Sequence, residues 1–364
     1  MHPPSRTAER PVSPFALWIF IVAVVAAFAV CFGYVAGWFT PHRLTSKRLV
    51  DQLQNNSGIF AGYRRNHAKG LCFTGFLQSN GKGAPYSSAQ VFAPGRTPVV
   101  GRLAIPGGNP YAPDSSVPIR SMALRFSLSN GQQWRTGMNS MPVFPVSTPQ
   151  AFYEMLQAQR ADPATGKPDP NKLAHFFAVH PETTAFRAWA KNTKPSASFA
   201  TESYYSLDSF YFVNDQGRRS AVRWRMTPEA NDATVNDVKM AASADYLSAD
   251  LQRRLRQGPL HWHLWVTLAD PSDPINDPAI AWPSDRRTID VGTLVVQQAE
   301  PQESGTCRDI NYDPLVLPQG IEASADPMLA ARSAAYAASY LRRTGEESHL
   351  PGTVLARART SQKE

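Results

Sequence analysis

The sequence predicts an α+β fold, in which antiparallel strands and separate helices follow one apolar N-terminal segment. Residues 15–39 carry no charged side chain. After them come stretches of alternating apolar and polar residues, separated by Gly, Pro and Asn. Near the C-terminus, apolar residues recur at helical spacing behind Asp326-Pro327. Strands in series, with helices at other places along the chain, are typical of the α+β class.

The composition is that of a folded protein with one large domain or two of medium size. The 364 residues are 43% hydrophobic and 18% charged, which excludes a disordered chain. The 31 prolines favour loops over long continuous helices. The net charge of +8 comes from dispersed Lys and Arg without a long basic run. A basic surface is therefore favoured, and no nucleic-acid partner is expected.

Residues 15–39 form the predicted transmembrane helix. At ~1.5 Å per residue, a helix of this length crosses a hydrocarbon core of ~30 Å. Trp18 near one end, and Tyr34 and Trp38 near the other, fit the aromatic belts of a membrane helix. A cleaved signal peptide is the alternative, although it needs an apolar core of only ~7–15 residues. The flanking basic residues do not fix the orientation of the segment.

The chain thus divides into five parts. They are an N-terminal tail (1–14), the transmembrane helix (15–39), a linker or short helix (40–50), a large domain (51–345) and a flexible C-terminal tail (346–364). The loss of periodicity and the polar composition after Arg343 predict the C-terminal tail.

Alternation and turn residues predict the strands of the large domain, and spacing predicts its helices. Strands are expected, in chain order, at 69–78, 99–105, 122–128, 134–138, 209–213, 221–226, 260–268 and 293–297. Helices are expected at 41–57, 152–159 and 185–191, and after Asp326, which is followed by Pro in the first turn. Asn214-Asp215-Gln216-Gly217 predicts a hairpin turn.

Two cysteines lie outside the apolar segment that contains Cys31. Cys72 and Cys307 either pair, if the domain faces an oxidising compartment, or stand as two small buried hydrophobic residues. The second interpretation is slightly favoured, because three cysteines are too few for a disulfide scaffold.

The predicted C-terminal helix carries a charged and a phenolic side chain on one face. Arg332 and Tyr336 are four residues apart, and Arg343 follows about two turns later. A tyrosine ligates ferric haem as its phenolate, although a free phenol ionises only at about pH 10. A neighbouring guanidinium stabilises that anion, and Arg343 can meet a haem propionate. An Arg-x-x-x-Tyr pair alone is a weak signal, and for such a pair an ordinary surface contact is the favoured interpretation.

Earlier segments contribute residues suited to a peroxide pocket. The neutral imidazole of His67 can take a peroxide proton and return it to the leaving oxygen. Asn139 can hold the peroxide by a hydrogen bond, while Phe144 and Phe152 can wall the pocket or stack on a porphyrin. The alternatives are a structural histidine, a turn asparagine and core aromatics.

His261 and His263 lie two apart in a predicted strand, so that their imidazoles share one face and could supply half of a metal site. No Cys or carboxylate at a suitable spacing completes this site, so ordinary strand-surface residues are favoured.

Three separated segments together resemble the haem catalase superfamily. They are Arg64–Gly70, Asn139–Phe144 and Gly320–Leu329 with Arg332 and Tyr336, and their order also matches. The resemblance covers about residues 45–345, and it is greatest to the small, membrane-anchored catalase-related peroxidases. It implies an eight-stranded antiparallel β-barrel with surrounding helices, and haem b (iron) buried between them.

The resemblance also implies roles for individual residues. His67 matches the distal histidine and Asn139 the distal asparagine, which are the catalytic pair. Tyr336 matches the proximal iron ligand and Arg332 its charge partner. Arg64, Arg102 and Arg343 match arginines that bind the haem propionates or lie near them. Phe144 and Phe152 match pocket aromatics, the latter stacking on the porphyrin.

Three departures from the large catalases have functional consequences. Ala104 stands where a serine usually bonds the second nitrogen of the distal histidine, and Asn66 replaces a small apolar residue. The resemblance does not extend to the long threading arm or to the C-terminal segments of the large catalases. A less constrained imidazole, a more polar pocket and a shorter shell favour reduction of peroxide by an organic donor.

The expected function is accordingly that of a haem peroxidase. It would use hydrogen peroxide or an organic hydroperoxide and a small organic reductant. A true catalase, and a membrane-tethered haem- or lipid-binding module without chemistry, remain as alternatives. We further expect a single-pass membrane protein with a periplasmic catalytic domain and a possible homodimer.

Overall fold

The computed structural model describes residues 13–35, 38–39, 43–229 and 243–349. The chain contains two compact units, Met1–Thr45 and Ser46–Glu364. The first includes helix α1 (Pro14–Val35). Within the described ranges, α1 is the one helix that is long and apolar enough to cross a membrane. A signal sequence near the N-terminus can have the same length and composition. Residues 1–12 of the expected N-terminal tail lie outside the described residues.

The second unit contains ten strands among its described residues. They are β1 (Gly70–Ser79), β2 (Gly95–Ala104), β3 (Ser121–Ser127), β4 (Gln133–Asn139), β5 (Tyr204–Tyr205), β6 (Phe210–Val213), β7 (Arg219–Pro228), β8 (Leu260–Leu268), β9 (Thr288–Pro301) and β10 (Ile321–Ala323). All eight predicted strands are present, and the structure adds the short β5 and β10, which lack the length to give a periodic signal.

Eight of the strands close into an antiparallel barrel, which confirms the predicted fold. The neighbours run β1-β2-β3-β4-β5-β7-β8-β9, and β9 pairs again with β1. Strand β6 lies beside β7 as the predicted hairpin, and β10 pairs with β6. Closure leaves no free edge within this ring of strands.

Alternation along the strands fills the barrel interior with apolar side chains. In β4, for example, Trp134, Thr136 and Met138 are buried and alternate with less buried residues. Because successive side chains point to opposite faces of a strand, Arg135, Gly137 and Asn139 face the outside of the barrel. This outer face of β4 forms one wall of the site described below.

The described part of this unit also contains six α-helices. They are α2 (Ser46–Ser57), α3 (Pro149–Ala158), α4 (Pro170–Val179), α5 (Thr184–Asn192), α6 (Tyr246–Leu255) and α7 (Pro327–His349). Helices α2, α3, α5 and α7 were expected from the sequence. Helices α4 and α6 were not predicted from the sequence, although Asp169 caps α4 and Pro170 starts it.

Helix α7 continues beyond the predicted boundary. The flexible tail was expected from residue 346, yet the helix extends to His349. Glu346 forms an ion pair with the buried Arg65 and accepts a hydrogen bond from the Gly62 N–H. These long-range partners stabilise the last turn of the helix, which is polar and lacks apolar periodicity. The prediction of a flexible tail was therefore wrong for residues 346–349. Residues 350–364 lie outside the described residues.

Cys72 and Cys307 form a disulfide, which corrects the interpretation as two buried thiols. The bond joins β1 to the segment after β9 across a sequence separation of 235 residues. Spacing in the sequence could not reveal that the antiparallel pairing of β1 with β9 brings the two cysteines together. Gly305 lies beside the bond, where an added Cβ would come within 2.7 Å of the Cys72 sulfur.

Candidate active site

A cavity of about 190 Å³ lies between the outer face of β2–β4 and the helices α2, α3 and α7. All nine predicted site residues line it: Arg64, His67, Arg102, Asn139, Phe144, Phe152, Arg332, Tyr336 and Arg343. Residues separated by up to 279 positions in the sequence therefore share one site. Their roles remain predictions, which the geometry below makes specific.

The barrel wall of the cavity has one position without a side chain, at Gly137 on β4. Arg102, Ala123 and Gly137 are cross-strand neighbours on β2, β3 and β4. A Cβ at Gly137 would lie 3.2 Å from Arg332 Nη2 and 3.8 Å from Tyr336 Oη. The missing side chain therefore allows the residues of α7 to approach the barrel closely.

The phenol of Tyr336 and the guanidinium of Arg332 lie on one face of α7, as the spacing predicted. Arg332 Nη2 is 3.5 Å from Tyr336 Oη and donates to the Gly137 carbonyl at 3.3 Å. Arg332 Nη1 forms an ion pair with Asp208, a carboxylate that is almost fully buried. Burial lowers the pKa of the guanidinium, but the charge of Asp208 outweighs this effect and raises it overall. Arg332 is therefore a permanent cation beside the phenol.

His67 adopts a left-handed backbone conformation with φ of 55°, which few residues other than glycine adopt. The side chain of Asn66 supports this turn, because its Oδ1 accepts from the N–H of His67 at 2.9 Å and of Gly107 at 2.8 Å. Asn66 was expected to make the pocket more polar. Its oxygen instead satisfies two backbone donors, which gives this departure from the large catalases a structural role.

The imidazole of His67 is neutral at physiological pH. Burial, together with the charges of Arg102, Arg332 and Arg64, lowers its pKa to about 3. A side-chain hydrogen bond with Asn139 opposes this shift only in part. A neutral ring nitrogen is the form that can accept a proton.

Asn139 is held by a hydroxyl that the sequence analysis did not identify. Ser121 Oγ donates to Asn139 Oδ1 at 2.6 Å. Ala104, Ser121 and Asn139 are cross-strand neighbours on β2, β3 and β4. The serine missing at position 104 is thus matched by one on the adjacent strand. Ser121 binds Asn139 and not the histidine. Because the Asn139 oxygen accepts this hydrogen bond, the amide NH₂ of Asn139 remains as the donor toward the cavity.

Three arginines of the cavity have no carboxylate within ion-pairing distance among the described residues. Arg64 donates to the carbonyls of Cys307, Arg308 and Ile310 at 3.0–3.1 Å. Arg343 donates to the carbonyl of Arg308, and Arg102 to that of Ala68 and to the side chain of Gln302. The Nε of Arg102 is buried without a hydrogen-bond partner.

The electrostatics of these arginines indicate an anionic ligand. Burial and the charge of Arg343 lower the pKa of Arg64 to about 10. The pKa values of Arg102 and Arg343 are also lowered, mainly by burial. Buried cations that repel one another are costly unless an anion joins them. A ligand with two carboxylates satisfies this requirement.

The cavity therefore fits haem by the chemistry of its side chains. Arg64, Arg102 and Arg343 suit the two propionates, and Tyr336 with Arg332 offers a phenolate oxygen to iron. Phe144 and Phe152, whose ring centroids are 5.5 Å apart, provide apolar surface for the macrocycle.

The histidine pair of β8 belongs to a different surface. His263 lies 3.1 Å from Glu229 and 2.9 Å from Asp290, and His261 lies 3.3 Å from Glu229. Spacing along the sequence could not reveal these carboxylates, because Glu229 directly follows β7 and Asp290 lies on β9. No group of three or more His, Cys, Asp or Glu in the described ranges is arranged to hold a metal ion.

Comparison with known proteins supports the resemblance found in the motifs. Residues 36–352 match the family model described as Catalase. The chain belongs to the catalase family. A catalase-related peroxidase of Synechococcus elongatus is 38% identical to this family member over 328 residues, which is 90% of the chain and 96% of the relative. A catalase-related peroxidase of Mycolicibacterium paratuberculosis is 28% identical, covering 83% of the chain and 96% of the relative.

The catalase fold is also evident from solved structures. A bacterial catalase superposes on this catalase-family chain with a TM-score of 0.68 at 24% identity, and the alignment covers 83% of the chain. A fungal catalase gives a TM-score of 0.67 at 22% identity. The chain spans only about three fifths of these structures, 61% and 60% respectively. It is thus similar in length to the catalase-related peroxidases and shorter than these catalases.

Sequence reasoning missed Asp208, Ser121 and the role of Asn66. No motif marks Asp208 or Ser121, because each acts through a partner on another element. The resemblance alone drew attention to position 66.

Proposed function

We propose that this catalase-family chain is a haem-dependent peroxidase, reducing hydrogen peroxide or an organic hydroperoxide with a small organic donor. The observation that carries the proposal is one cavity, lined by a neutral imidazole, a carboxamide donor, an arginine-backed phenol and three arginines that have no carboxylate partner among the described residues. The two catalase-related peroxidases of nearly equal length support the same assignment.

Haem b is the proposed cofactor. Tyr336 would bind its iron, Arg64, Arg102 and Arg343 its propionates, and Phe144 and Phe152 the macrocycle. Bound haem supplies the redox chemistry that cleaves a peroxide O–O bond. The protein would supply a proton acceptor in His67, a hydrogen-bond donor in Asn139, and a phenolate in Tyr336 that the charge of Arg332 stabilises.

The distal residues move one proton. His67 accepts this proton from one oxygen of the peroxide. It returns the proton to the other oxygen, which leaves as water or an alcohol. Asn139 donates a hydrogen bond that holds the peroxide during this transfer. A small donor then supplies two electrons in two steps, with two protons, and the second peroxide oxygen leaves as water.

Two features favour a peroxidase over a true catalase. Ala104 gives the imidazole of His67 no hydroxyl partner, and Ser121 serves Asn139 instead. The chain also covers 96% of each of the two catalase-related peroxidases, against about three fifths of the solved catalases. Oxygen-electrode and dye-oxidation assays on the same preparation separate the two activities. We expect dye turnover with little oxygen release; vigorous oxygen evolution without dye turnover would establish the catalase alternative.

The cofactor proposal is tested by reconstituting the purified chain with haem. We expect the absorption spectrum of a tyrosinate-ligated ferric haem, and its loss in Tyr336→Phe. An Arg102→Gln variant should bind haem more weakly while keeping the tyrosinate spectrum. A chain that binds haem through Tyr336 but shows no spectral response to peroxide would be a binding module and not an enzyme.

We further propose that α1 anchors the protein in a membrane with the catalytic domain in the periplasm. The length of α1 and the disulfide, which persists in oxidising compartments, support this assignment. Mass analysis of the protein from washed membranes should give a chain that retains α1. Protease added to spheroplasts should degrade the domain. A soluble product cut after α1 would identify a signal peptide instead.

A further inference from the structure

Asp208 is a buried carboxylate that the proposed proton chemistry does not use. Its side chain is 3% exposed and forms an ion pair with Arg332 Nη1. We infer that Asp208 is a positioning residue, which takes up part of the Arg332 charge and thereby keeps the Tyr336 phenolate a strong donor to iron. This inference rests on the proposed function in one respect, namely that Tyr336 is the iron ligand.

One guanidinium connects the carboxylate to the phenol. Nη1 of Arg332 faces Asp208, whereas Nη2 lies 3.3 Å from the Gly137 carbonyl and 3.5 Å from Tyr336 Oη. A planar fork of this kind fixes the direction of both amino groups at once. The position of Asp208 therefore decides how the guanidinium is aimed at Tyr336.

The backbone holds Asp208 in place. Leu207, which precedes it, has φ of 65°, a conformation that is strained for a branched residue. The Asp208 N–H donates to the Ser206 carbonyl at 2.8 Å, and the Ser206 hydroxyl donates to the Asp208 carbonyl at 3.2 Å. Structures retain such strain where the surroundings fix the residue, and here it directs the carboxylate at Arg332.

The charge balance around Arg332 determines the expected effect. Charges interact strongly in a buried site, so a carboxylate on one side of a guanidinium weakens its pull on an anion on the other side. Without the carboxylate, the full charge of Arg332 would act on the phenolate oxygen. That oxygen would then give less electron density to iron, and the ferrous state would become easier to reach.

The test replaces Asp208 by Asn, which has the same shape without the charge. In the haem-loaded full chain, we expect Asp208→Asn to move the ferric/ferrous midpoint potential to a more positive value. We also expect resonance Raman spectroscopy to show an iron–phenolate stretch at lower frequency. An Asp208→Ser variant makes the same charge change with room for a water molecule, and should shift both quantities in the same direction.

Matched variants separate tuning from general damage. Asp208→Glu keeps the charge and should leave the potential near that of the parent protein. Asp215→Asn removes an exposed carboxylate in the β6–β7 turn and should change nothing. An unchanged potential and unchanged stretch in whichever neutral variant folds would overturn the inference. The premise that Tyr336 is the iron ligand fails by another observation, retention of the tyrosinate signature in Tyr336→Phe, so the two failures are distinguishable.

Discussion

At the scale of single residues, His67 determines the pH range of the proposed reaction. Because its pKa is lowered to about 3, the imidazole stays neutral, and able to accept a proton, through the ordinary physiological range. We expect the rate of reaction with peroxide to show no loss between pH 8 and 5 that follows imidazole protonation. His67→Gln should lower this rate by about 10²–10⁴-fold, the usual contribution of a general base. Stopped-flow absorption measures both, and a sigmoidal loss centred on pH 6.5 would contradict the buried, neutral state.

The same pKa shift has a consequence for stability. The unfolded chain binds a proton at His67 below about pH 6.5, whereas the folded chain does so only near pH 3. The contribution of this group to stability is therefore present above pH 6.5 and is lost as the pH falls toward 3. Denaturation of the parent protein and His67→Gln at pH 7 and pH 4.5 measures it, since the variant lacks this part of the slope.

Ser121 provides a second prediction at the residue scale. Its hydroxyl fixes the amide of Asn139 through a hydrogen bond of 2.6 Å. A neutral hydrogen bond contributes roughly 1 kcal/mol, so Ser121→Ala should slow the reaction with peroxide about fivefold. Ser121→Thr keeps the hydroxyl and should retain most of the rate. If both variants are equally slow, the loss comes from altered packing of β3 and not from the hydrogen bond.

At the scale of elements, the start of α7 carries an ionisation that affects stability. Asp326 caps the helix, with Oδ1 accepting from the Met328 N–H at 2.9 Å. Burial and the nearby charge of Asp208 raise its pKa to about 7, while Arg332 and Arg223 act in the opposite direction. The folded state therefore keeps a proton that the unfolded chain releases near pH 4. Stability from this group is present below that pH and is lost as the pH rises through 7.

Asp326→Asn tests this linkage, because Asn caps helices as well as Asp does. The variant should match the parent protein at acidic pH and exceed its stability at pH 8, by on the order of 1–4 kcal/mol. Urea denaturation at pH 5 and pH 8 measures the difference. A variant that is less stable than the parent at pH 8 would show that the ionised carboxylate stabilises the fold.

The disulfide is the element-scale feature that affects both stability and the site. It closes a loop of 235 residues, and such bonds contribute about 2–5 kcal/mol. The double variant Cys72→Ala/Cys307→Ala should lose stability in that range. It should also bind haem more weakly, because the carbonyls of Cys307, Arg308 and Ile310 orient Arg64. Cys31→Ala is the matched control, since Cys31 is an exposed free thiol of α1. Equal unfolding of all three proteins under oxidising conditions would contradict the bond.

Elements also show how far the sequence could predict this fold. Strand β8 was predicted to the residue, since its alternation is regular and local, and the other long strands were predicted with shifted or shorter bounds. Strands β5 and β10, of two and three residues, exist only through their neighbours and leave no pattern. The disulfide and the last turn of α7 likewise depend on long-range partners. In the site, residues within motifs were found, whereas Asp208 and Ser121 were not, because their function arises from contacts between elements.

At the scale of the whole molecule, the buried arginines oppose folding and favour ligand binding at the same time. Arg102 is 3% exposed, its Nε is unpartnered, and Arg64 and Arg343 add like charge nearby. The protein without haem bears this cost, and the propionates would remove it. Haem should therefore raise the melting temperature of the parent protein, and the stabilisation should grow with the logarithm of the ligand concentration over its dissociation constant.

Arg102→Met separates the two effects, since it removes a buried charge while keeping much of the side-chain volume. Without haem, we expect the variant to be at least as stable as the parent protein, because the most deeply buried of the three cations is removed. With haem, its gain in melting temperature should be smaller, since one propionate loses its partner. Arg96→Met, at an exposed position of β2, should alter neither quantity. Calorimetry with and without haem measures all of these values. A variant that is destabilised without haem, yet gains as much as the parent from binding it, would assign Arg102 a purely structural role.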